Sequence, residues 1–377
     1  MVMKQVYFLL LSVFLLQGCK TVSTNKKQQT TGKELVMKIA PGADNPRNSE
    51  GDFISLKDGS ILFVYSRYTG TSSSDHASAF LAARKSFDQG QTWTSEDKVI
   101  VAKEGLMNVM SVSLLRLQNG SIALFYLKKN STSDCIPMMR ISVDEAKTWS
   151  DPIPCITDKK GYFVLNNDRV IQMKDGRLLL AVALHQVPGE KWSNNGTLFS
   201  YFSDDNGLTW KASPALENPD NITLQEPGVV ELKNGDIMMI IRASPGVQYK
   251  SVSKDRGQTW SPAEKTSIKS PLSPATIQRI PSTGDLLMVW NNNGGEDASI
   301  KGKRTPLTIA VSKDDGVSWE FVKNLEDNKD GWYCYIAMHF VGKNVLLGYC
   351  AGSQSQKTHL SVTDISRLSL NWIYNKK

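Results

Sequence analysis

An octapeptide, Ser-x-Asp-x-Gly-x-Thr-Trp, recurs along this chain and constrains its fold more than any other feature. Three copies match in full, at residues 86–93, 203–210 and 253–260, and two looser copies lie at residues 142–149 and 312–319. The tryptophans that end successive copies are 56, 61, 50 and 59 residues apart. Because about 50–60 residues is the length of one β-propeller blade, this spacing predicts a radially repeated domain.

A second repeat lies between the octapeptides and consists of two apolar runs on either side of a glycine-containing turn. The six turns are centred on Gly59, Gly120, Gly176 and Gly235 and, more weakly, on Gly284 and Gly342. Asp-Gly and Asn-Gly turns supply the positive φ angles of tight hairpins, and the flanking runs have strand composition. The sequence therefore predicts an all-β fold, a six-bladed β-propeller of four-stranded antiparallel blades with no convincing helix.

The octapeptides themselves are predicted to be structural. The aspartate at the third position can accept backbone N–H groups within the turn, the glycine supplies the bend, and the tryptophan packs between strands. Residues elsewhere in the repeats must therefore supply any chemistry.

The N-terminus has the pattern of an export signal. Lys4 precedes an apolar run, residues 6–16, which is too short to span a membrane as a stable helix. The run ends in Leu-Gln-Gly-Cys, which is similar to a bacterial lipobox and implies cleavage before Cys19 and acylation of its thiol. An ordinary secretory signal with an incidental cysteine is the alternative. We divide the chain into a lipoprotein signal peptide (1–18), a flexible tether (19–37) and the propeller (38–377), exported to the periplasmic face or the cell surface of a bacterial membrane.

Composition excludes some classes of function. With 377 residues and 40% hydrophobic content the chain can bury one large core. The net charge of +7 is compatible with an anionic ligand, but the basic residues are scattered, so nucleic acid is not an expected partner. Closed blades leave no free strand edge, so we expect a monomer.

The cysteines beyond the leader have no spacing typical of a metal site, and no metal is expected. Cys334 and Cys350 lie symmetrically about the turn at Gly342, so a hairpin there would bring them opposite one another. A disulfide is permitted outside the cytoplasm, and two buried free thiols are the alternative.

The octapeptides resemble the Asp boxes of the sialidase (neuraminidase) superfamily, and the resemblance covers about residues 38–375. A sialidase substrate carries a carboxylate on its anomeric carbon, which clustered arginines bind by forked hydrogen bonds. Because a carboxylate nucleophile would be repelled by that group, a neutral tyrosine attacks instead. A glutamate activates the tyrosine and an aspartate protonates the leaving oxygen, with no cofactor.

The resemblance also implies site residues, matched by their order and by their offsets from the turns. The implied substrate-binding residues are Arg47, Arg242 and Arg304, which form the arginine triad, and Arg67. The implied catalytic residues are Asp75 as the acid, Glu226 as the base and Tyr335 as the nucleophile. Tyr333 remains an alternative nucleophile, because strand alternation would point Tyr333 and Tyr335 to the same side.

Two departures from the family pattern leave the substrate open. The family usually has Arg-Ile-Pro at its first arginine, whereas this chain has Arg-Asn-Ser-Glu at residues 47–50, and these polar groups could reshape the pocket or pair with Arg47. The segment Asn-Asn-Asp-Arg at residues 166–169, with His185, either lines the pocket or is ordinary turn polarity.

Three functions follow from these residues. The first is a retaining exo-glycosidase that removes terminal α-linked sialic acid from glycans, by hydrolysis or by transfer to another sugar. The second has the same mechanism on a related 2-keto-3-deoxy or other acidic sugar. The third is a surface propeller that binds acidic glycans without cleaving them, which would need the arginines but not the Glu226–Tyr335 pair.

Overall fold

The structure, a computed structural model, describes residue 2 and residues 32–375, and this part of the chain is an all-β fold with one short helix. The signal peptide, Cys19 and most of the predicted tether lie outside the described residues. None of the described helical residues forms a segment long and apolar enough to cross a membrane.

The strands follow one another along the chain with short connections. They are β1 (Lys33–Ile39), β2 (Asn48–Ser55), β3 (Ile61–Tyr68), β4 (Ala79–Ser86), β5 (Lys98–Val101), β6 (Asn108–Arg116), β7 (Ile122–Ser131), β8 (Asp134–Ser142), β9 (Ile153–Pro154), β10 (Tyr162–Val164), β11 (Val170–Gln172), β12 (Leu178–Gln186), β13 (Thr197–Ser203), β14 (Lys211–Ala212), β15 (Leu224–Glu231), β16 (Ile237–Ala243), β17 (Val247–Ser253), β18 (Glu264–Lys269), β19 (Thr276–Arg279), β20 (Leu286–Asn291), β21 (Leu307–Ser312), β22 (Glu320–Glu326), β23 (Gly331–Val341), β24 (Asn344–Ser353) and β25 (Thr363–Ser369). The helix α1 (Leu370–Tyr374) follows the last strand.

These strands form four sheets of four strands and one sheet of nine. The four-stranded sheets are β2-β3-β4-β5, β15-β16-β17-β18, β19-β20-β21-β22 and β1-β25-β24-β23. In the nine-stranded sheet, β10 pairs antiparallel with β12 and joins β8 through a single parallel residue pair. The first described strand, β1, completes the sheet of the last three and begins at Lys33, inside the segment for which the sequence predicts a tether.

All six predicted hairpins are confirmed. The glycine turns connect β2 to β3, β6 to β7, β11 to β12, β15 to β16, β19 to β20 and β23 to β24, each as an antiparallel pair. The glycines at these turns all have positive φ, for example 84° at Gly59 and 89° at Gly235, which explains the choice of residue. The first strands of these hairpins, here called the inner strands, are mostly buried, and the candidate site lies at one end of this set.

The Asp boxes are confirmed as structural turns between the third and fourth strands of their repeats. In the copy at residues 253–260, the Asp255 carboxylate accepts hydrogen bonds from Ser253 Oγ (2.8 Å) and from the Thr259 backbone N–H (2.8 Å). The tryptophan of the same copy donates its indole N–H to Ser200 Oγ of the preceding repeat at 2.8 Å. This box therefore closes its own turn and contacts the preceding repeat.

Asp255→Ala is expected to lower the free energy of unfolding by about 1–2 kcal/mol, because it removes a charged acceptor from several donors at once. Burial raises the pKa of Asp255, but hydrogen bonds from Thr259 and Ser253 outweigh it and the net shift is downward. The stabilisation is therefore present above the ordinary aspartate pKa and is lost as the pH falls through the lowered one. Urea unfolding at neutral and at acidic pH measures both effects, and equal losses at the two would contradict the assignment.

The described cysteines are all buried free thiols. Cys334 and Cys350 are direct partners across β23 and β24, so the predicted register is confirmed, but the disulfide alternative is not what the structure contains. Burial raises the pKa of Cys334, but hydrogen bonds from the Cys350 thiol and from Arg304 outweigh it, and the net shift is downward.

Candidate active site

A polar cavity of about 320 Å³ lies where the first strands of several hairpins begin. Its ionisable lining residues are Glu50, Asp75, Lys129, Tyr162, His185, Glu226, Arg242, Arg304 and Tyr335. A larger groove of about 610 Å³ is lined partly by Asp-box residues such as Phe87 and Lys147, and another of about 430 Å³ lies at the opposite ends of the same inner strands. Only the smaller cavity gathers most of the residues that the sequence predicts, so we take it as the candidate site.

Four of the lining side chains come from equivalent backbone irregularities. Glu50, Ser111, Glu226 and Tyr335 have φ values of 56°, 59°, 45° and 55°, in the left-handed region that residues other than glycine seldom adopt. Each lies at a register shift in the first strand of its hairpin, in β2, β6, β15 and β23 respectively. A bulge of this kind redirects one side chain out of the strand's alternation, and here four bulges direct four side chains into one cavity.

Tyr335, Glu226 and Arg242 form a linear hydrogen-bonded chain in this cavity. Tyr335 Oη donates to Glu226 Oε1 at 3.0 Å, and Arg242 Nη1 donates to Glu226 Oε2. Burial raises the pKa of Glu226, but Arg242 and Arg304 outweigh it, so the net pKa is lowered. Burial and the adjacent Glu226 raise the pKa of Tyr335 well above its ordinary value. The arrangement is an ionised carboxylate hydrogen-bonded to a neutral phenol.

Arg304 extends into the cavity from the loop before β21. Its guanidinium lies over the ring of Tyr335, 5.4 Å from the ring centre, and its side chain is 8% exposed. Among the described residues, its Nη1 has no hydrogen-bond partner, and the same is true of Nε of Arg242. These two buried donors are available to an anionic group bound in the cavity.

Arg47 does not line this cavity, although it contacts two residues that do. Its Nε donates to Ser49 Oγ (2.9 Å) and its Nη2 donates to Glu50 Oε2 (2.9 Å). Its Nη1 donates to Asp75 Oδ1 and to the Ser73 backbone oxygen at 3.3 Å. Four of its five donors thus have protein partners, and its side chain is 1% exposed.

Asp75 lies in the loop between β3 and β4, and its side chain is 56% exposed. The cavity wall partly desolvates the carboxylate and so raises its pKa, but Arg47, Lys129 and His76 outweigh that effect and the net pKa is lowered. Lys129 holds this loop, because its Nζ donates to the Asp75 backbone oxygen at 2.7 Å. Asp75 is therefore ionised in the unliganded protein over most of the pH range.

An aromatic wall closes one side of the cavity. The indole of Trp192 stacks on the His185 imidazole, with ring centres 4.8 Å apart and 8° between planes, and Tyr162 packs edge-on at 5.1 Å. His185 Nδ1 is 2.8 Å from the Ser193 backbone oxygen, and burial lowers its pKa. Trp192 lies in the loop between β12 and β13. This loop contacts β15, because Gln225 Nε2 donates to the Asn194 backbone oxygen at 2.7 Å.

The polar segment at residues 166–169 has two roles. Asn166 lines the cavity with His185, as one of the two interpretations predicts. Asn167 instead donates from Nδ2 to the backbone oxygens of Gly51 (2.9 Å) and Tyr335 (3.0 Å), and so connects two of the bulges. Of the remaining two residues of the segment, Arg169 is buried and Asp168 is half-buried.

The structure brings five of the seven predicted substrate and catalytic residues to the cavity wall, namely Asp75, Glu226, Arg242, Arg304 and Tyr335. Arg67 is not among them, since its Nε pairs with Asp97 at 2.9 Å and its guanidinium lies over Phe80. Tyr333 is also elsewhere, because its ring packs in an apolar cluster beside Tyr349.

Sequence reasoning missed several lining residues. Ser111, Lys129, Tyr162 and Trp192 were not predicted, and Glu50 was noted only as a neighbour of Arg47. The one sequence signal for Trp192 is its position outside every Asp box. Five of the chain's nine tryptophans, by contrast, are the last residue of an Asp box. The bulge at Ser111 has no glycine to mark it, whereas the bulge at Glu50 includes Gly51.

The protein-family match and the similar proteins of known type agree with one another. Residues 64–347 match the BNR repeat-like domain family. A sialidase of Paraclostridium sordellii is 28% identical over 269 residues, which are 63% of this chain and 62% of that protein. A sialidase of Clostridium perfringens is 27% identical over 231 residues, 54% of this chain and 58% of that protein. The matches thus span about six tenths of these relatives' lengths.

A solved structure extends the likeness to the fold. The Hadza microbial sialidase Hz136 superposes with a TM-score of 0.69 at 18% identity, over 87% of this chain and 66% of that one. At this identity the likeness concerns the path of the backbone and not the chemistry of the site.

Proposed function

This chain belongs to the BNR repeat-like domain family and to the sialidase superfamily, and from that premise we propose that it is a retaining exo-glycosidase that removes terminal α-linked sialic acid from glycoconjugates. The observation that carries the proposal is the hydrogen bond from Tyr335 Oη to Glu226, beside the open donors of Arg242 and Arg304. A protein that only binds glycans would need the arginines but would not need a phenol paired with an ionised carboxylate.

In the proposed reaction, Arg242 and Arg304 hold the carboxylate of the sugar at the base of the cavity. Tyr335 Oη attacks the anomeric carbon as its proton passes to Glu226, and Asp75 donates a proton to the departing glycosidic oxygen. Asp75 then accepts a proton from water, which attacks the tyrosyl glycoside and releases the sugar, while Glu226 returns its proton to Tyr335. Two inversions at one carbon give net retention.

The fold proposal that accompanies this mechanism is a six-bladed β-propeller. Six hairpins of equivalent strand order support it, and the nine-stranded sheet is then two blades that meet at β10. The site would lie at one end of the central axis, where the inner strands begin. The proposal further includes export and a lipid anchor at Cys19, which rest on the sequence pattern and which the mass of the mature N-terminal peptide would test.

The first experiment is hydrolysis of an aryl α-sialoside by the purified protein lacking residues 1–31. Release of the aryl group, with the α-anomer of the sugar as the first product seen by NMR, supports the proposal. A folded protein that releases nothing from a sialoside or from aryl glycosides of other 2-keto-3-deoxy acids contradicts it.

A second candidate substrate class is a different 2-keto-3-deoxy sugar acid. The observation that favours it is that Arg47 is bound to Glu50 and Asp75 and does not line the cavity. The substrate carboxylate then meets two arginines where the family resemblance implies three. Comparison of kcat/KM between an aryl sialoside and an aryl octulosonate decides between the two classes.

The ion pair between Arg47 and Asp75 predicts the pH profile. Because Arg47 helps to lower the pKa of Asp75, the protonated fraction that can act as acid falls as the pH rises above that lowered pKa. We expect kcat/KM to be highest at acidic pH and to decline toward neutrality. Arg47→Gln is expected to move the decline to higher pH, because the loss of the cation raises the pKa of Asp75. A decline that stays at the same pH in this variant would remove Asp75 from the role of acid.

A further inference from the structure

We propose that Glu50 is a specificity-determining residue, whose carboxylate accepts a hydrogen bond from a hydroxyl or ammonium group of the bound sugar and disfavours sugars that lack a donor there. The inference rests on the proposed function, because it concerns the sugar held in the same cavity. Three independent features of the structure support it.

The first feature is backbone position. Glu50 occupies in β2 the place that Glu226 occupies in β15 and Tyr335 in β23, at a register shift and with left-handed φ. A non-glycine residue in this conformation is strained, and the surrounding structure must offset that strain. The backbone conformation that directs the proposed base and nucleophile into the cavity therefore directs Glu50 into it as well.

The second feature is the unused capacity of Glu50 to accept hydrogen bonds. Its Oε2 accepts from Arg47 and from Ser49 Oγ (3.1 Å). Its Oε1 accepts from Ser111 Oγ at 3.2 Å, the one hydrogen bond to that atom among the described residues. A carboxylate oxygen has two lone pairs, so Oε1 retains one acceptor site, and Glu50 lines the cavity. An ionised carboxylate can only accept.

The third feature is the balance of charge. The cavity wall has three acidic side chains, Glu50, Asp75 and Glu226, and three basic ones, Lys129, Arg242 and Arg304. A cavity without Glu50 would have an excess of positive charge and would attract an anionic sugar more strongly. The presence of Glu50 therefore opposes anion binding in general, and its cost is offset only for a sugar that donates a hydrogen bond to it.

A purely structural role is the alternative, in which Glu50 only holds Arg47 in place. The isosteric variant Glu50→Gln separates the two, because the amide oxygen can still accept from Arg47 while the charge and the strong acceptor are lost. Glu145→Gln is the matched control, since Glu145 also pairs with an arginine, Arg116, but lies outside the cavity. Burial raises the pKa of Glu50 although Arg47 opposes the shift, so the measurements are made at neutral pH, where ionisation is favoured.

The experiment compares a 4-methylumbelliferyl α-sialoside with analogues that each lack one hydroxyl, using the wild type and both variants. In the wild type and in Glu145→Gln, one deletion is expected to raise KM by about 10- to 100-fold, the worth of one hydrogen bond to a charged group. In Glu50→Gln the same deletion is expected to change KM by less than about threefold. If every deletion has the same effect in wild type and Glu50→Gln, the proposal is overturned and Glu50 is only the partner of Arg47.

Two further measurements keep the outcome decisive. If Glu50→Gln does not fold, Ser111→Ala replaces it, because loss of the internal donor leaves Oε1 freer. The discrimination should then increase, whereas unchanged or lost discrimination overturns the proposal. If no glycoside is cleaved, the proposed function fails, and calorimetric binding of free N-acetylneuraminic acid and its deoxy analogues still tests Glu50 by the same comparison.

Discussion

Tyr335→Phe is expected to lower kcat by at least about 1,000-fold while leaving sugar binding within a few-fold of the wild type. The variant removes one oxygen, the atom that donates to Glu226 at 3.0 Å and that attacks the sugar in the proposed mechanism. The ring remains beneath the Arg304 guanidinium, so the carboxylate-binding donors keep their support. Turnover of an aryl sialoside and calorimetric binding of a non-hydrolysable sialic acid analogue measure the two effects separately.

Tyr333→Phe is the matched control for this experiment. The two tyrosines lie two residues apart on β23, but Tyr333 packs beside Tyr349 in an apolar cluster and does not line the cavity. Its hydroxyl removal should leave kcat within about threefold of the wild type. A large loss of kcat in Tyr333→Phe, or retained turnover in Tyr335→Phe, would contradict the assignment of the nucleophile.

The same pair of tyrosines shows where inference from the sequence ends. Simple alternation along β23 puts Tyr333 and Tyr335 on one face, so the sequence leaves both as candidates. The structure has a register shift between Cys334 and Ala337 with left-handed φ at Tyr335, and this bulge separates the two side chains. Because no glycine or proline marks the bulge, local residue chemistry does not predict it.

The scaffold, by contrast, follows from local chemistry. Each hairpin turn depends on a glycine that takes a positive φ, and each Asp box depends on a side chain that bonds to its own turn. Such features depend on residues that are neighbours in the sequence and recur along the chain, so six hairpins could be predicted from the sequence.

Tertiary ion pairs explain the remaining differences at the site. Arg67 has the offset that the family resemblance implies, but its side chain pairs with Asp97, thirty residues later and immediately before β5. Arg47 lies immediately before β2, as the resemblance implies, but its guanidinium is paired with Glu50 and Asp75. In both cases the residue could be predicted from the sequence and its partner could not, because the partner depends on how the strands assemble.

The segment at residues 167–169 links several of the inner strands. We expect a substitution in it to cause the largest decrease in the free energy of unfolding. Arg169 is 4% exposed, and its Nη2 donates to the Ala275 backbone oxygen (2.8 Å) while its Nη1 donates to Thr276 Oγ1 (2.9 Å). Asp168 accepts from the Met338 backbone N–H at 2.9 Å. Two adjacent residues immediately before β11 thus connect this segment to the start of β19 and to β23.

Arg169→Ala is expected to lower the free energy of unfolding by about 3–5 kcal/mol, because it leaves buried acceptors and the neighbouring Asp168 without their cation. Arg169→Lys should recover little, since a single ammonium cannot reach the oxygens that the planar guanidinium spans. Arg256→Ala is the control, because that arginine pairs with Asp175 while 44% exposed, and its loss should cost less than about 1 kcal/mol. Urea unfolding compares the three variants. Equal small losses in Arg169→Ala and Arg256→Ala would mean that the inner strands are held by apolar packing and hairpin hydrogen bonds, with the central arginine contributing little.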